Sequence, residues 1–98
     1  MDENEVIKIC KALGDRNRLK IIQILLSGEK CVCVIDEYLK ITQPTLSHHM
    51  KVLGECKLVN SRRDGKWVYY SINKDTVDRF KGFFGDLVIG DEGCCCGK

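Results

Sequence analysis

Two short helical patterns separated by a turn of two residues constrain the fold of this chain more than any other feature of its sequence. Apolar residues at helical spacing predict one helix over about 32–40, and Lys40-Ile41 follows as a tight turn. Thr42 is a suitable N-cap for the next helix, which runs to about Lys57. Pro44 falls in the first turn of that helix, where a missing N–H costs nothing. Two helices joined in this way predict a helix-turn-helix.

A hairpin pattern follows the second of these helices. The runs 58–63 and 66–72 are rich in residues that favour strands, and Asp64-Gly65 between them predicts a tight two-residue turn. A helix-turn-helix followed by such a hairpin is the winged-helix arrangement. The sequence therefore predicts a mainly α fold with a β-hairpin wing.

Three more helical patterns bring the expected total to about five. Gly14 ends the first helix, Asp15 is the N-cap of a second over 16–27, and the last covers about 74–89. The apolar residues expected on shared inner faces are Val6, Ile7, Ile9, Cys10 and Leu13, then Leu19, Ile22, Leu25 and Leu26, then Val34, Ile35, Tyr38 and Leu39, then Leu46, Met50 and Leu53, and finally Val77, Phe80, Phe84 and Val88. We expect one domain over 1–89 and a flexible cysteine-rich tail over 90–98.

Composition argues against a membrane or secreted protein. No stretch approaches the roughly 20 apolar residues that span a bilayer. The acidic start Met1-Asp2-Glu3-Asn4-Glu5 does not resemble a signal peptide. We therefore expect a cytoplasmic protein with no membrane partner.

Positive charge is concentrated in the middle of the chain. Residues 40–74 hold seven Lys or Arg against two Asp or Glu, whereas 1–39 hold six against seven and 75–98 hold three against five. A basic centre between acidic flanks fits one face that approaches phosphate, and double-stranded DNA is the expected partner. The candidate DNA-binding residues are Thr42, Gln43, Thr45, Ser47, His48 and Lys51 on the second helix of the motif and Arg62, Arg63 and Lys66 in the hairpin.

The seven cysteines suggest ligands, redox sensors or small core residues. Their number is odd and no Cys-x-x-Cys occurs, which argues against a disulfide scaffold and against a thiol enzyme. Thiolates select soft ions. Cys31 and Cys33 can share an ion only where their helix has not fully begun, because residues i and i+2 of a regular helix point about 200° apart.

Several of these segments together resemble the ArsR/SmtB family of metal-sensing repressors. The matching segments are Leu13-Gly14-Asp15-Arg16-Asn17-Arg18-Leu19-Lys20-Ile21, Cys31-Val32-Cys33, Gln43-Pro44-Thr45-Leu46-Ser47-His48-His49-Met50-Lys51-Val52-Leu53, Arg62-Arg63-Asp64-Gly65-Lys66 and Trp67-Val68-Tyr69-Tyr70-Ser71-Ile72. The resemblance implies a homodimer built from the first and last helices. It also implies repression at an operator and release from DNA when a ligand binds.

The resemblance also narrows the position of the sensor. A zinc site on the last helix needs histidine with Asp or Glu, and no histidine follows His49, so we expect that site to be absent. A site at the start of the third helix uses the Cys-x-Cys pair that Cys31 and Cys33 match. Similar arsenite-sensing members add a third cysteine where this chain has Asp36.

We therefore expect a repressor that releases its operator when arsenite or antimonite binds cysteine thiolates. The candidate ligands are Cys31, Cys33, Cys94, Cys95 and Cys96, with Cys10 as a further source of a third thiol. Two alternatives keep the same DNA-binding domain. In one the input is cadmium, lead or zinc, and in the other the thiols form a disulfide or a persulfide and bind no metal.

Overall fold

A computed structural model describes the backbone of residues 1–89 and the side chains of residues 1–87. Within that range it contains five helices and a three-stranded antiparallel sheet, which confirms the winged helix-turn-helix. None of these helices combines the length and the hydropathy needed to cross a membrane. The elements are α1 Glu3–Leu13, α2 Arg16–Leu25, β1 Lys30–Cys31, α3 Val32–Leu39, α4 Gln43–Glu55, β2 Val59–Asp64, β3 Trp67–Ile72 and α5 Lys74–Ile89.

Local side-chain chemistry sets the helix boundaries around the motif. The Asp15 carboxylate caps α2 by accepting the N–H groups of Asn17 and Arg18 at 2.8 and 3.1 Å. The Thr42 hydroxyl caps α4, as predicted. Between α3 and α4, Lys40 takes a left-handed conformation with φ 53°. This conformation ends α3 and turns the chain into α4.

The hydrophobic core lies where the first four helices meet the base of the sheet. Its buried residues are Ile9, Ala12, Ile21, Leu25, Ile35, Leu46, Met50, Leu53, Leu58 and Val59. The predicted inward stripe of α4, formed by Leu46, Met50 and Leu53, is confirmed. Because this stripe packs inward, the opposite face of α4 is left exposed.

Several residues expected on inner faces are exposed instead. Leu26 is 72% exposed, Tyr38 71% and Leu19 44%. In α2 the buried pair is Ile21 and Leu25, spaced i and i+4, so the inner stripe is rotated from the predicted one. Leu26 follows the last helical residue and no longer shares that stripe.

The first and last helices also leave predicted apolar residues uncovered. Cys10 is exposed because Ile9 and Ala12 are the residues of α1 that face the core. Ile7 is 50% exposed and Phe84 is 59% exposed. These faces of α1 and α5 have no partner within one copy of residues 1–87.

The sheet contains a strand that the sequence did not predict. β3 is central, with β2 on one side and the two-residue β1 on the other. In β1, Lys30 pairs with Tyr70 and Cys31 pairs with Tyr69. The segment before α3 is therefore part of the wing sheet.

The hairpin turn lies one residue later than predicted. Asp64 pairs with Trp67 as the last residue of β2, so the loop is Gly65-Lys66 and the predicted Asp64-Gly65 turn is wrong. Gly65 has φ 63°, while Lys66 is not among the described residues with positive φ. This pattern matches a type II′ turn, in which glycine occupies the first central position.

Candidate DNA-binding surface and thiol site

The outer face of α4 presents every polar residue that the sequence proposed for this helix. The exposed residues are Thr42, Gln43, Thr45, Ser47, His48 and Lys51. Thr42 also has a structural role, since its hydroxyl accepts the Thr45 N–H at 3.4 Å and lies 2.8 Å from Thr45 Oγ1. Nothing in residues 1–87 covers this row, which leaves α4 free to enter a major groove. Contact with DNA stays a prediction.

Arg18 anchors α4 to the first two helices. Its NH1 group donates to His49 Nδ1 at 3.1 Å, and its Nε–H donates to the Ala12 carbonyl at 2.7 Å. His49 is only 6% exposed. Arginine can only donate, so Nδ1 must offer a lone pair and the neutral ring carries its proton on Nε2. That nitrogen lies 3.9 Å from Asp15 Oδ1.

The surroundings of His49 favour the uncharged imidazole. Burial lowers the pKa of His49 below its ordinary value, and the Arg18 charge lowers it further, against the opposing attraction of Asp15. The pKa of Asp15 is itself held below its usual range, chiefly by the hydrogen bond from the Arg18 backbone N–H. Protonation of His49 would remove the lone pair that receives the Arg18 hydrogen bond.

The three cations proposed for the wing have different surroundings. They are Arg62, Arg63 and Lys66. Arg62 donates from Nε and NH2 to Glu29 at 3.0 and 2.8 Å, and its guanidinium lies 4.6 Å from the centre of the Tyr69 ring. Lys66 Nζ lies 5.6 Å from the centre of the Trp67 ring. Arg63 is exposed and forms no ion pair among the described residues.

The structure brings Cys31 and Cys33 together at the junction of β1 and α3. Cys31 is the N-cap of α3 with extended backbone, φ −68° and ψ 146°, so the helix has not begun at this residue. Its sulfur lies 2.9 Å from Cys33 Sγ and accepts the Cys33 N–H at 3.4 Å. The hydrogen bond to Cys31 raises the pKa of the Cys33 thiol, and burial raises it further.

No third ligand joins this pair within the described part of the chain. Residues 1–87 contain no cluster of three His, Cys, Asp or Glu side chains that could hold a metal ion. Cys10 is exposed on α1, and Cys56 is half-buried with its thiol 3.4 Å from the Leu53 carbonyl. The proposed ligands Cys94, Cys95 and Cys96 lie outside the described residues.

Sequence reasoning missed two contacts that position these candidate sites. Arg18 and His49 are 31 positions apart, and Arg62 and Glu29 are 33 apart. Neither pair has a local signal such as helical spacing or turn chemistry. Only the burial of His49 could be suspected, because it lies three residues after Leu46 and four before Leu53, on the inner stripe of α4.

Comparison with known families places the motif among bacterial regulators. Residues 15–61 match the family described as bacterial regulatory protein, arsR family. This segment contains α2, β1, α3 and α4 and the start of β2. It therefore holds the thiol pair and the candidate recognition helix together.

Individual relatives extend the similarity over nearly the whole chain. The arsenical resistance operon repressor of Staphylococcus xylosus is 38% identical over 96 residues, covering 98% of this chain and 92% of the relative. The cadmium resistance transcriptional regulatory protein CadC homolog of Staphylococcus aureus is 39% identical over 74 residues, covering 74% and 61%. A solved homodimeric winged helix-turn-helix DNA-binding domain from Mycobacterium bovis, a possible ArsR-family transcriptional regulator, is 29% identical with a TM-score of 0.69, covering 91% and 82%.

The neutral state of His49 makes stability depend on pH in a defined direction. The folded pKa is lowered, so this contribution is fully present above the ordinary histidine pKa of 6.5 and is lost as pH falls towards the folded pKa. We expect the urea-derived free energy of unfolding to fall between about pH 7.5 and 5.5 in the wild type, and to fall less in His49→Asn. The Asn carbonyl can accept from Arg18 without titrating.

His48→Asn is the matched control, because it removes an exposed imidazole and leaves the Arg18 contact intact. It should keep the wild-type dependence on pH. Equal slopes for His49→Asn and the wild type over this range would contradict the assignment.

Proposed function

The chain belongs to the arsR family of bacterial regulatory proteins, and we propose that it is a homodimeric repressor that binds operator DNA and dissociates when trivalent arsenic or antimony binds its cysteine thiolates. It is a DNA-binding regulator and not an enzyme. The observation that carries the proposed inducer is the 2.9 Å separation of the Cys31 and Cys33 sulfurs. The Staphylococcus xylosus relative, a repressor of an arsenical resistance operon, supports the same class of inducer.

We propose that α4 reads the operator in the major groove. The Gln43 amide can bond adenine in a bidentate manner, and the Thr45 and Ser47 hydroxyls can reach bases or phosphates. Lys51 suits phosphate, and Arg63 and Lys66 suit backbone or minor-groove contact by the wing. In a homodimer two copies of α4 would enter successive major grooves, so the operator should be an imperfect palindrome.

We propose that the uncovered faces of α1 and α5 form the dimer interface. Ile7, Phe84 and Leu87 are 50%, 59% and 56% exposed, and large apolar surface of this kind marks a protein contact. An ion pair between Arg79 and Glu5, with an N–O distance of 3.4 Å, joins the two helices within one protomer. The similar domain from Mycobacterium bovis is described as homodimeric, which supports this arrangement.

The donor set fits a soft ion but needs a third thiolate. Trivalent arsenic and antimony take three thiolates, whereas Cys31 and Cys33 supply two. We propose that the third comes from the segment Cys94–Cys96 or from Cys10 of a second copy. Cadmium, lead or zinc is the alternative input to the same thiols, supported by the similarity to a cadmium resistance regulator.

Oxidation of the thiol pair is the second candidate function. The two sulfurs are already 2.9 Å apart, so loss of two protons and two electrons to a peroxide or disulfide oxidant would join them in an S–S bond of about 2.05 Å. Either input requires reduced thiols in the resting state. This requirement supports the cytoplasm as the site of action.

Replacing the thiol pair should abolish the response without abolishing DNA binding. In the wild type, arsenite should weaken operator binding by about 5-fold to 150-fold, the range expected for a typical coupling free energy. Cys31→Ser with Cys33→Ser should show little change, because oxygen is a poor ligand for trivalent arsenic. Fluorescence anisotropy of labelled operator measures the affinity of each protein with and without arsenite.

The control is Cys56→Ser, whose hydroxyl can keep the hydrogen bond to the Leu53 carbonyl. It should respond to arsenite like the wild type. Unchanged release by the double serine variant would exclude the pair as the sensor. A chain truncated after Gly90 tests whether Cys94–Cys96 supply the third thiolate. If arsenite still releases the operator from this variant, the third thiolate comes from another segment.

The pH dependence of release should separate arsenite from cadmium. Arsenous acid condenses with three thiols to give three As–S bonds and three water molecules, with no net proton release. Cd²⁺ displaces a proton from each thiol, and Cys33 holds its proton tightly because its pKa is raised. Below neutral pH, the cadmium concentration that half-releases the operator should rise by about tenfold per pH unit for each proton displaced. The arsenite midpoint should stay nearly constant. Equal shifts for both ions would contradict this chemistry.

A further inference from the structure

One wing cation is held by an acidic residue next to the thiol pair. Arg62 on β2 reaches across the central strand β3 and donates two hydrogen bonds to Glu29, at 3.0 and 2.8 Å. On the way it stacks 4.6 Å from the ring centre of Tyr69. A second carboxylate, Asp64, lies 3.9 Å from NH1. The guanidinium is therefore directed along the sheet towards β1, while the wing tip lies at Gly65-Lys66.

The Arg62–Glu29 contact connects β2 of the wing to the segment of backbone that carries Cys31. Tyr69 is the register partner of Cys31 on one side and of Arg62 on the other. Glu29 precedes Cys31 by two residues and lies immediately before β1. The carboxylate that holds Arg62 therefore belongs to the same short segment of backbone as Cys31.

The pair can be exchanged for a phosphate contact. The Arg62 and Glu29 side chains are 53% and 38% exposed, so water screens their attraction and the ion pair contributes little to stability. A DNA phosphate offers the same bidentate acceptor geometry as a carboxylate. Glu29 and a phosphate would compete for one guanidinium.

We propose that Glu29 is a positioning residue that withholds Arg62 from operator DNA, and that this exchange links the thiol site to the wing. In the DNA-bound state Arg62 leaves Glu29 and contacts phosphate. The link to the inducer rests on the proposed function: ligation of Cys31 holds β1 in place and keeps Glu29 directed at Arg62. Ion and operator thereby oppose each other through a single side chain.

Removing the Glu29 carboxylate should strengthen DNA binding in the absence of any inducer. We expect Glu29→Gln to bind operator about twofold to fivefold more tightly than the wild type. The slope of log affinity against log salt should stay nearly the same, because Arg62 contacts phosphate in the bound state of both proteins. Glu29→Asp keeps the charge and should lie closer to the wild type.

Two further variants separate the proposal from a simple charge effect. Glu37→Gln makes the same change in net charge at an exposed position of α3 that has no ion pair among the described residues, so its gain in operator affinity should be smaller than that of Glu29→Gln. In an Arg62→Gln background, Glu29→Gln should have no effect. Equal behaviour of Glu29→Gln and Glu37→Gln, or weaker binding by Glu29→Gln, would overturn the proposal. A gain that persists without Arg62 would overturn it as well.

The link between the thiols and Glu29 is tested with arsenite. Glu29→Gln should bind arsenite as tightly as the wild type does, measured by protection of its thiols from alkylation. Arsenite should, however, weaken operator binding by a smaller factor in Glu29→Gln than in the wild type. If arsenite weakened operator binding by the same factor in both proteins, the link to the thiols would be refuted. If arsenite released no operator from the wild type, the proposed inducer would fail, whereas the measurements without arsenite would still decide whether Glu29 withholds Arg62.

Discussion

The antiparallel pairing of β1 with β3 is the constraint on which the rest of the candidate switch depends. It spans only two residue pairs, Lys30 with Tyr70 and Cys31 with Tyr69. Without it, Cys31 would precede α3 in an ordinary loop. With it, one thiol of the pair lies in the wing sheet and the other lies in the first turn of the helix-turn-helix. A ligand that ties the two sulfurs together would therefore join the wing sheet to the first helix of the helix-turn-helix.

The candidate recognition helix, α4, is fixed by a different set of contacts. The core residues Leu46, Met50 and Leu53 set the orientation of α4, and the Arg18–His49 hydrogen bond ties it to α1 and α2. Buried packing of this kind resists small displacements. Only the base of the wing packs on the core; its outer part is held more weakly, by the exposed Arg62–Glu29 ion pair and the two-pair ladder of β1 with β3. We infer that the wing is the element that responds most readily to the thiol site.

Much of the architecture could be predicted from local patterns, and the remainder depends on contacts distant in sequence. Thr42 and Pro44 mark the start of α4, and the spacing of Leu46, Met50 and Leu53 gives its inner face. Those signals are local. A strand as short as β1 has no periodicity to detect, and the partners of Arg62 become apparent only when three strands lie side by side. Helical spacing alone predicts Tyr38 on an inner face, but no other described element covers that face of α3 and Tyr38 is exposed.

The candidate site divides in the same way. Exposure of the α4 residues follows from the inner stripe, and the meeting of the two cysteines follows from their position on either side of the start of a helix. The sequence spacing around Cys31 and Cys33 cannot identify the third ligand, because that ligand must come from another segment or another copy.

The most direct test is the affinity of arsenite for the dimer alone and for the dimer saturated with operator, measured by isothermal titration. Because coupling is reciprocal, arsenite should bind the operator complex about 5-fold to 150-fold more weakly than the free dimer. Equal affinities would show that the thiols and the DNA-binding surface are independent, and would contradict the account.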